Sequence, residues 1–169
     1  MPPMRAISFE LDGQVVAGEA EPRRLLSDFL REEFHTSRLH VGCEQGVCGA
    51  CTVLIDGDAV RSCLVLAVEV EGRSLQTFRG LCSSEGVQLL IASVIERGGV
   101  QCGYCTPGIV TALHAALRDG PAFGSVDEVR ELLDGHLCRC TGYEGLVQAI
   151  LSFGAEEAVA SCRVDPVAS

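Results

Sequence analysis

Eight of the ten cysteines in this chain fall into two sets of different spacing, and any fold it adopts has to satisfy both. The first set is Cys43, Cys48 and Cys51, with Cys63 further on, a C-x4-C-x2-C…C run. That is a ligand spacing for a 2Fe–2S cluster. The second set is Cys102 and Cys105, then Cys138 and Cys140. Two thiolate sites in one small chain point to passage of electrons between two metal centres.

The residues around the first set favour a cluster over a single ion. Gly42, Gly46 and Gly49 punctuate the loop. A cluster-cradling loop must bring backbone N–H groups close to sulfur, and side chains obstruct that approach. Four-cysteine zinc sites generally use paired C-x2-C knuckles, which this run lacks. A Rieske centre needs two histidine ligands; His40 lies near the loop, but no C-x-H pair exists. The second set leaves more open. Its C-x2-C…C-x-C pattern suits zinc as well as a cluster. A redox dithiol at Cys102 and Cys105 is a third reading, although no thioredoxin-like βαβ pattern surrounds it.

The 169 residues allow one ordinary domain or two small ones. Trp is absent and aromatics make up 5%, so Leu, Val, Ile and Ala must fill the core, and such small cores are often supported by metal. The formal charge is −10 with no Lys/Arg-rich run, which argues against nucleic-acid binding. Two oxidised four-thiolate 2Fe–2S units would take the total to about −14. The N-terminus shows no signal-peptide run, and no stretch approaches a membrane span. Many cysteines without an export signal suit a reducing compartment, so the cytoplasm is expected.

Hydropathy patterning divides the chain near residue 80. Ile7, Phe9 and Leu11 alternate with polar neighbours, and Asp12-Gly13 turns the chain toward Val15–Val16. Glu21-Pro22 is expected to open a helix with Leu25, Leu26, Phe29 and Leu30 on one face. Val41–Ala50 reads as a loop, and Val53–Ile55, Asp56-Gly57 and Val60 as a hairpin. Val68, Val70 and Leu75 are expected in short edge strands. Residues 1–80 thus form a small α+β domain.

Beyond Gly80, helical period takes over. Val87, Leu90, Ile91, Val94 and Ile95 define a first helix, stopped by Gly98-Gly99. Thr106-Pro107 caps a second, carrying Ile109, Leu113, Ala116 and Leu117 and ending at Gly120-Pro121. Ser125 to Glu128 forms a capping box for a third, with Val129, Leu132 and Leu133. Thr141-Gly142 leads into a fourth, with Leu146, Ile150 and Phe153. Residues 81–160 then make a four-helix unit, and 161–169 a tail. Each cysteine pair runs into a threonine, so two helix N-termini would converge on the second site, lowering thiolate pKa values.

Three stretches carry a resemblance: Cys43-Glu-Gln-Gly-Val-Cys-Gly-Ala-Cys51, Gln101-Cys-Gly-Tyr-Cys-Thr-Pro-Gly108 and Leu137-Cys-Arg-Cys-Thr-Gly-Tyr143. Together they closely resemble the iron–sulfur subunit of molybdenum hydroxylases, the xanthine oxidase family, which includes carbon monoxide dehydrogenase and bacterial ring hydroxylases. The resemblance spans roughly residues 5–155. It implies an N-terminal β-grasp, plant-type ferredoxin-like domain followed by a C-terminal four-helix domain, each with one 2Fe–2S cluster. It implies a heterotrimer or a dimer of heterotrimers. A large subunit would hold a molybdenum–pterin cofactor and a medium subunit FAD. Electrons would run from molybdenum to the helical-domain cluster, then to the ferredoxin-domain cluster, then to flavin. Gln101 and Cys140 would lie against the pterin. Ring hydroxylation of a nitrogen heterocycle is the expected chemistry of the whole enzyme, which is set by the large subunit.

The chain itself carries no catalytic constellation, no G-x-G-x-x-G and no P-loop. A free-standing two-cluster ferredoxin is the alternative function, and a zinc-stabilised interaction module a third. Cys82 and Cys162 read as inert thiols, Arg139 as a solvated cation or a partner to thiolate charge. His35 and His114 read as ordinary surface or helix-face residues, Glu32-Glu33 and Glu156-Glu157 as solvated faces. The chain departs from the family pattern at Thr36–His40 and at His136, which replaces an asparagine and is expected to tune the second cluster through a hydrogen bond or charge.

Overall fold

A computed structural model describes residues 3–119 and 123–153. The chain opens with an antiparallel hairpin, β1 (Arg5–Leu11) and β2 (Gln14–Ala20). Asp12 and Gly13 both take positive φ, 51° and 81°, as a two-residue turn matched to strand twist requires. Ile7, Phe9 and Leu11 point inward, as their alternation dictates. Helix α1 (Leu26–Glu33) lays Leu26, Phe29 and Leu30 on that face. A second hairpin, β3 (Thr52–Ile55) and β4 (Asp58–Arg61), follows the cysteine loop. The sheet is completed by β5 (Ser74–Gln76), in the order β2-β1-β5-β3-β4, with β1 and β5 parallel and the other pairs antiparallel.

Three expectations for this half are corrected. Val68 and Val70 lie in a 3-10 turn, Ala67–Val70, and not in strands. The Leu66 amide donates to the Glu69 carboxylate at 2.7 Å, a local bond that favours the turn. Leu75 is in a strand, but that strand is interior, between β1 and β3. Helix α1 begins at Leu26, later than Glu21-Pro22, because Leu25 is extended and bridges to Leu66.

The chain leaves the sheet through α2 (Phe78–Leu81) and enters four longer helices: α3 (Glu85–Glu96), α4 (Thr106–Asp119), α5 (Val126–Leu133) and α6 (Glu144–Phe153). Leu90, Val94, Ile109, Leu113, Leu146 and Ile150 form the centre of their core. Strand β3 serves both halves. Val53 and Ile55 belong to the core under α1, and Leu54, facing the other way, belongs to the helical core.

The cap chemistry differs in detail from expectation. Thr106 is the first helical residue of α4 and not its cap. At α5, Ser125 Oγ accepts from the Glu128 amide at 3.3 Å, but Glu128 reaches the Gly124 amide and not that of Ser125. Ile95 is 60% exposed and faces away from the core. His114, expected on the surface or on a helix face, lies on α4 and is buried there, 6% exposed. The Gly120-Pro121 stop, the Glu156-Glu157 pair, Cys162 and the tail 161–169 lie outside the described residues. Among the described residues no helix is long and apolar enough to cross a membrane.

Candidate metal centres

The first set of thiols gathers where the cysteine loop meets β3. Positive φ at Glu44, Gly46 and Gly49 coils the loop so that its amides turn toward sulfur. The Gln45 and Cys48 amides each donate to Cys43 Sγ at 3.4 Å. Those donors, Cys48 first and Gln45 second, pull the Cys43 thiol down to about 7. Cys63 arrives on a 3-10 turn, Ser62–Leu64, held to the loop end because the Ser62 amide and hydroxyl both donate to Cys51 O, at 3.2 Å and 2.8 Å. Cys51 and Cys63 are buried. Burial, then contact with Cys51, pushes the Cys63 thiol up to about 11. Cys43 touches Cys48, and Cys63 feels both Cys51 and Cys43, so the four thiols form one group.

The second set sits at helix ends. Cys102 and Cys105 precede and join the start of α4; Cys138 and Cys140 lie between α5 and α6. Cys102 Sγ and Cys140 Sγ are 3.4 Å apart, and both residues are exposed. The Tyr104 amide, then Cys140, holds the Cys102 thiol low, while Cys102 holds Cys140 high. Burial, then contact with Cys138, pushes Cys105 up to about 12. Burial also pushes Cys138 upward, but the Thr141 hydroxyl and amide outweigh it and leave that thiol lowered. Thr141 Oγ1 lies 3.1 Å from Cys138 Sγ and accepts from the Tyr143 amide at 3.2 Å. Thr141 therefore serves the thiol, and α6 starts only at Glu144. Gln101 is exposed beside Cys102, and Arg139 is exposed between Cys138 and Cys140.

Both quartets suit a group larger than one ion. Soft thiolate donors with amides aimed at sulfur match iron–sulfur ligation.

The two sites are tied together closely. The Leu137 amide, next to Cys138, donates to Cys48 O at 2.9 Å. Gly108, in the first turn of α4, packs so tightly on the cysteine loop that a Cβ there would collide with Gly49 O. A Cβ at Gly49 would sit 2.5 Å from His136 Cδ2. His136 is buried, and burial followed by the nearby Arg61 pushes its imidazole down to about 4. Thr52 Oγ1 spends its proton on Gly49 O at 2.6 Å and stands 3.4 Å from His136 Nε2, which leaves Nε2–H as the donor. His136 Nδ1 has no hydrogen-bond partner among the described residues.

Sequence reasoning overlooked several residues here. Tyr143 OH accepts from the Cys138 amide at 2.8 Å and donates to His136 O at 3.0 Å, bracing the second loop. It closes the Leu137–Tyr143 motif, which was the available signal. His40 stacks on Tyr104 with centroids 4.4 Å apart, its Nδ1 lies 2.8 Å from Tyr104 O, and Tyr104 OH donates to Val41 O at 2.9 Å. These contacts join the two ligand loops at the surface. Arg61 and Thr52 carried no sequence signal.

Residues 9–84 match the model of a 2Fe–2S iron–sulfur cluster binding domain, and residues 77–151 that of a [2Fe-2S] binding domain. The zinc reading of the second site gives way to this match. The chain is 46% identical over 148 residues to caffeine dehydrogenase subunit gamma of Pseudomonas sp. (strain CBB1), covering 86% of this chain and 89% of that one. It is 41% identical over 146 residues to the nicotine 6-hydroxylase small subunit of Paenarthrobacter nicotinovorans, covering 86% and 87%. Among solved structures, quinoline 2-oxidoreductase from Pseudomonas putida 86 superimposes with a TM-score of 0.83 at 43% identity, covering 95% of this chain and 96% of that chain.

Proposed function

The chain belongs to the family of small iron–sulfur subunits of molybdenum hydroxylases, and from that premise we propose that it is the electron-transfer subunit of a multi-subunit hydroxylase. Cys43, Cys48, Cys51 and Cys63 would hold one 2Fe–2S cluster, and Cys102, Cys105, Cys138 and Cys140 the other. Each cluster, when bound, supplies a one-electron store. The proposed division is a ferredoxin-like unit at 1–80 and a helical unit at 81–160; two buried cores among the described residues support it, with Leu54 of the first unit packing into the second.

The observation that carries this reading is the direct bond between the two ligand loops, Leu137 N–H to Cys48 O at 2.9 Å. It brings the backbones of two ligand-bearing segments into contact, which an electron relay needs and two unrelated structural sites would not. The exposed Cys102 and Cys140, with Gln101 beside them, give the relay an open end toward a large molybdenum–pterin subunit. Gln101 can both donate to and accept from a pterin edge. The buried site then lies on the side of a medium FAD subunit. Relatives named for caffeine, nicotine and quinoline favour a nitrogen heterocycle as the substrate of the whole enzyme. The nine described cysteines are all free thiols, which suits the cytoplasm.

Affinity isolation of the tagged chain from its native host tests the proposal. Two larger subunits should accompany it, with molybdenum, pterin and FAD in the isolated complex. A chain isolated alone that shuttles electrons between soluble enzymes would favour the free two-cluster ferredoxin instead.

A further inference from the structure

Arg61 ends β4, two positions before Cys63. Its guanidinium donates from Nη1 to Thr52 Oγ1 at 2.6 Å and from Nη2 to Gly135 O at 2.6 Å. Thr52 follows Cys51 directly, and Gly135 lies three residues before Cys138. One side chain therefore grips a segment of each cysteine site. A planar fork of donors suits two acceptors held at a fixed angle, which a lysine ammonium does not reproduce.

Both acceptors are neutral. Arg61 is half-buried, yet among the described residues it makes no ion pair. A cation taken out of water with no carboxylate beside it is costly unless other negative charge lies close. Two four-thiolate 2Fe–2S units, each about −2 when oxidised, would supply such charge.

We propose that Arg61 is a positioning residue that ties the two cysteine-bearing segments to one another and brings a positive charge, with no carboxylate partner among the described residues, to both of them. This rests on the two-cluster reading above. Reduction adds negative charge to either site, so the guanidinium favours the reduced forms and raises both midpoint potentials. Its paired bonds hold the mutual orientation on which magnetic coupling between the reduced centres depends.

The test compares Arg61→Gln and Arg61→Lys with the parent chain in its native complex. Iron content, redox titration and electron paramagnetic resonance of the fully reduced protein are the readouts. Both variants should keep their iron. Arg61→Gln should move both potentials downward and alter the spin–spin splitting between the centres. Arg61→Lys should restore the potentials but not the splitting. Unchanged potentials and splitting in Arg61→Gln would overturn the proposal. Loss of iron from both variants would also overturn it, by making Arg61 a folding residue. A parent protein lacking two distinct signals would instead refute the two-cluster reading on which the proposal stands.

Discussion

The two cysteine sites differ in how they are built and in what they present. In the sheet half, three thiols come from one coiled loop and the fourth from the 3-10 turn after the next hairpin, with Cys51 and Cys63 only 1% and 2% exposed. In the helical half, two pairs come from separate loops, 33 residues apart between Cys105 and Cys138, and Cys102 and Cys140 stay at the surface. The first site is local in sequence and enclosed by the chain itself. The second depends on packing of α3, α4, α5 and α6, and remains open on one side. An enclosed site protects its thiols from solvent. An open one leaves its thiols accessible to a neighbour. That asymmetry suits the relay proposed above.

Cysteine replacement should sharpen the contrast most. Cys102→Ser should lower iron from about four to about two atoms per chain while the fold survives, because that thiol lies outside both cores. Cys51→Ser should remove the same amount of iron and also weaken the sheet half, where the thiol is part of the core. Metal analysis and circular dichroism distinguish the two outcomes. Equal loss of structure in both variants would break the comparison.

Next in size are core deletions. Phe29→Ala should cost about 3–5 kcal/mol and Leu113→Ala about 2–5 kcal/mol in denaturant unfolding. Since Leu54 and its β3 neighbours belong to both cores, the two variants should shift one shared transition. Separate transitions for the two halves would show that β3 does not couple them.

At the contact between the sites, Gly108→Ala should cost about 1–3 kcal/mol, since the added methyl group must displace the cysteine loop from α4. Thermal melts measure the cost, and altered coupling between the reduced centres would place the displacement. The smallest effect lies at the sheet edge. Arg73, then the Ser74 amide, holds the Asp56 carboxyl below its ordinary range. This folded value is depressed, so its contribution to stability is present above the unfolded carboxylate pKa and is lost as pH falls through the folded value. Asp56→Asn should therefore cost less than about 1 kcal/mol near neutral pH and nothing in strong acid, read from melts across pH.

Much of this contrast was legible in the chain before any fold was drawn. Spacing alone separated the two cysteine sets, and hydropathy period separated sheet from helices near Gly80. The strand alternation of Ile7, Phe9 and Leu11 and the turns at Asp12-Gly13 and Asp56-Gly57 are local signals, and each became a hairpin. What escaped was non-local. Three residues around Leu75 are too few for their pattern to reveal neighbours on both sides. His114 lies on a helix, as expected, but that helix has nearly all its faces covered, one of them by β3, and its burial had no local signal. Arg61 reaches Gly135 O and Thr52 reaches His136, 74 and 84 residues along the chain, and no spacing rule reports such bonds.

Quantifying iron and recording electron paramagnetic resonance on the reduced full-length protein tests the central claim most directly. The account predicts about four irons and as much acid-labile sulfide per chain, with two distinct signals, one from each quartet. About two irons with a single signal, or a colourless protein holding zinc, would contradict it.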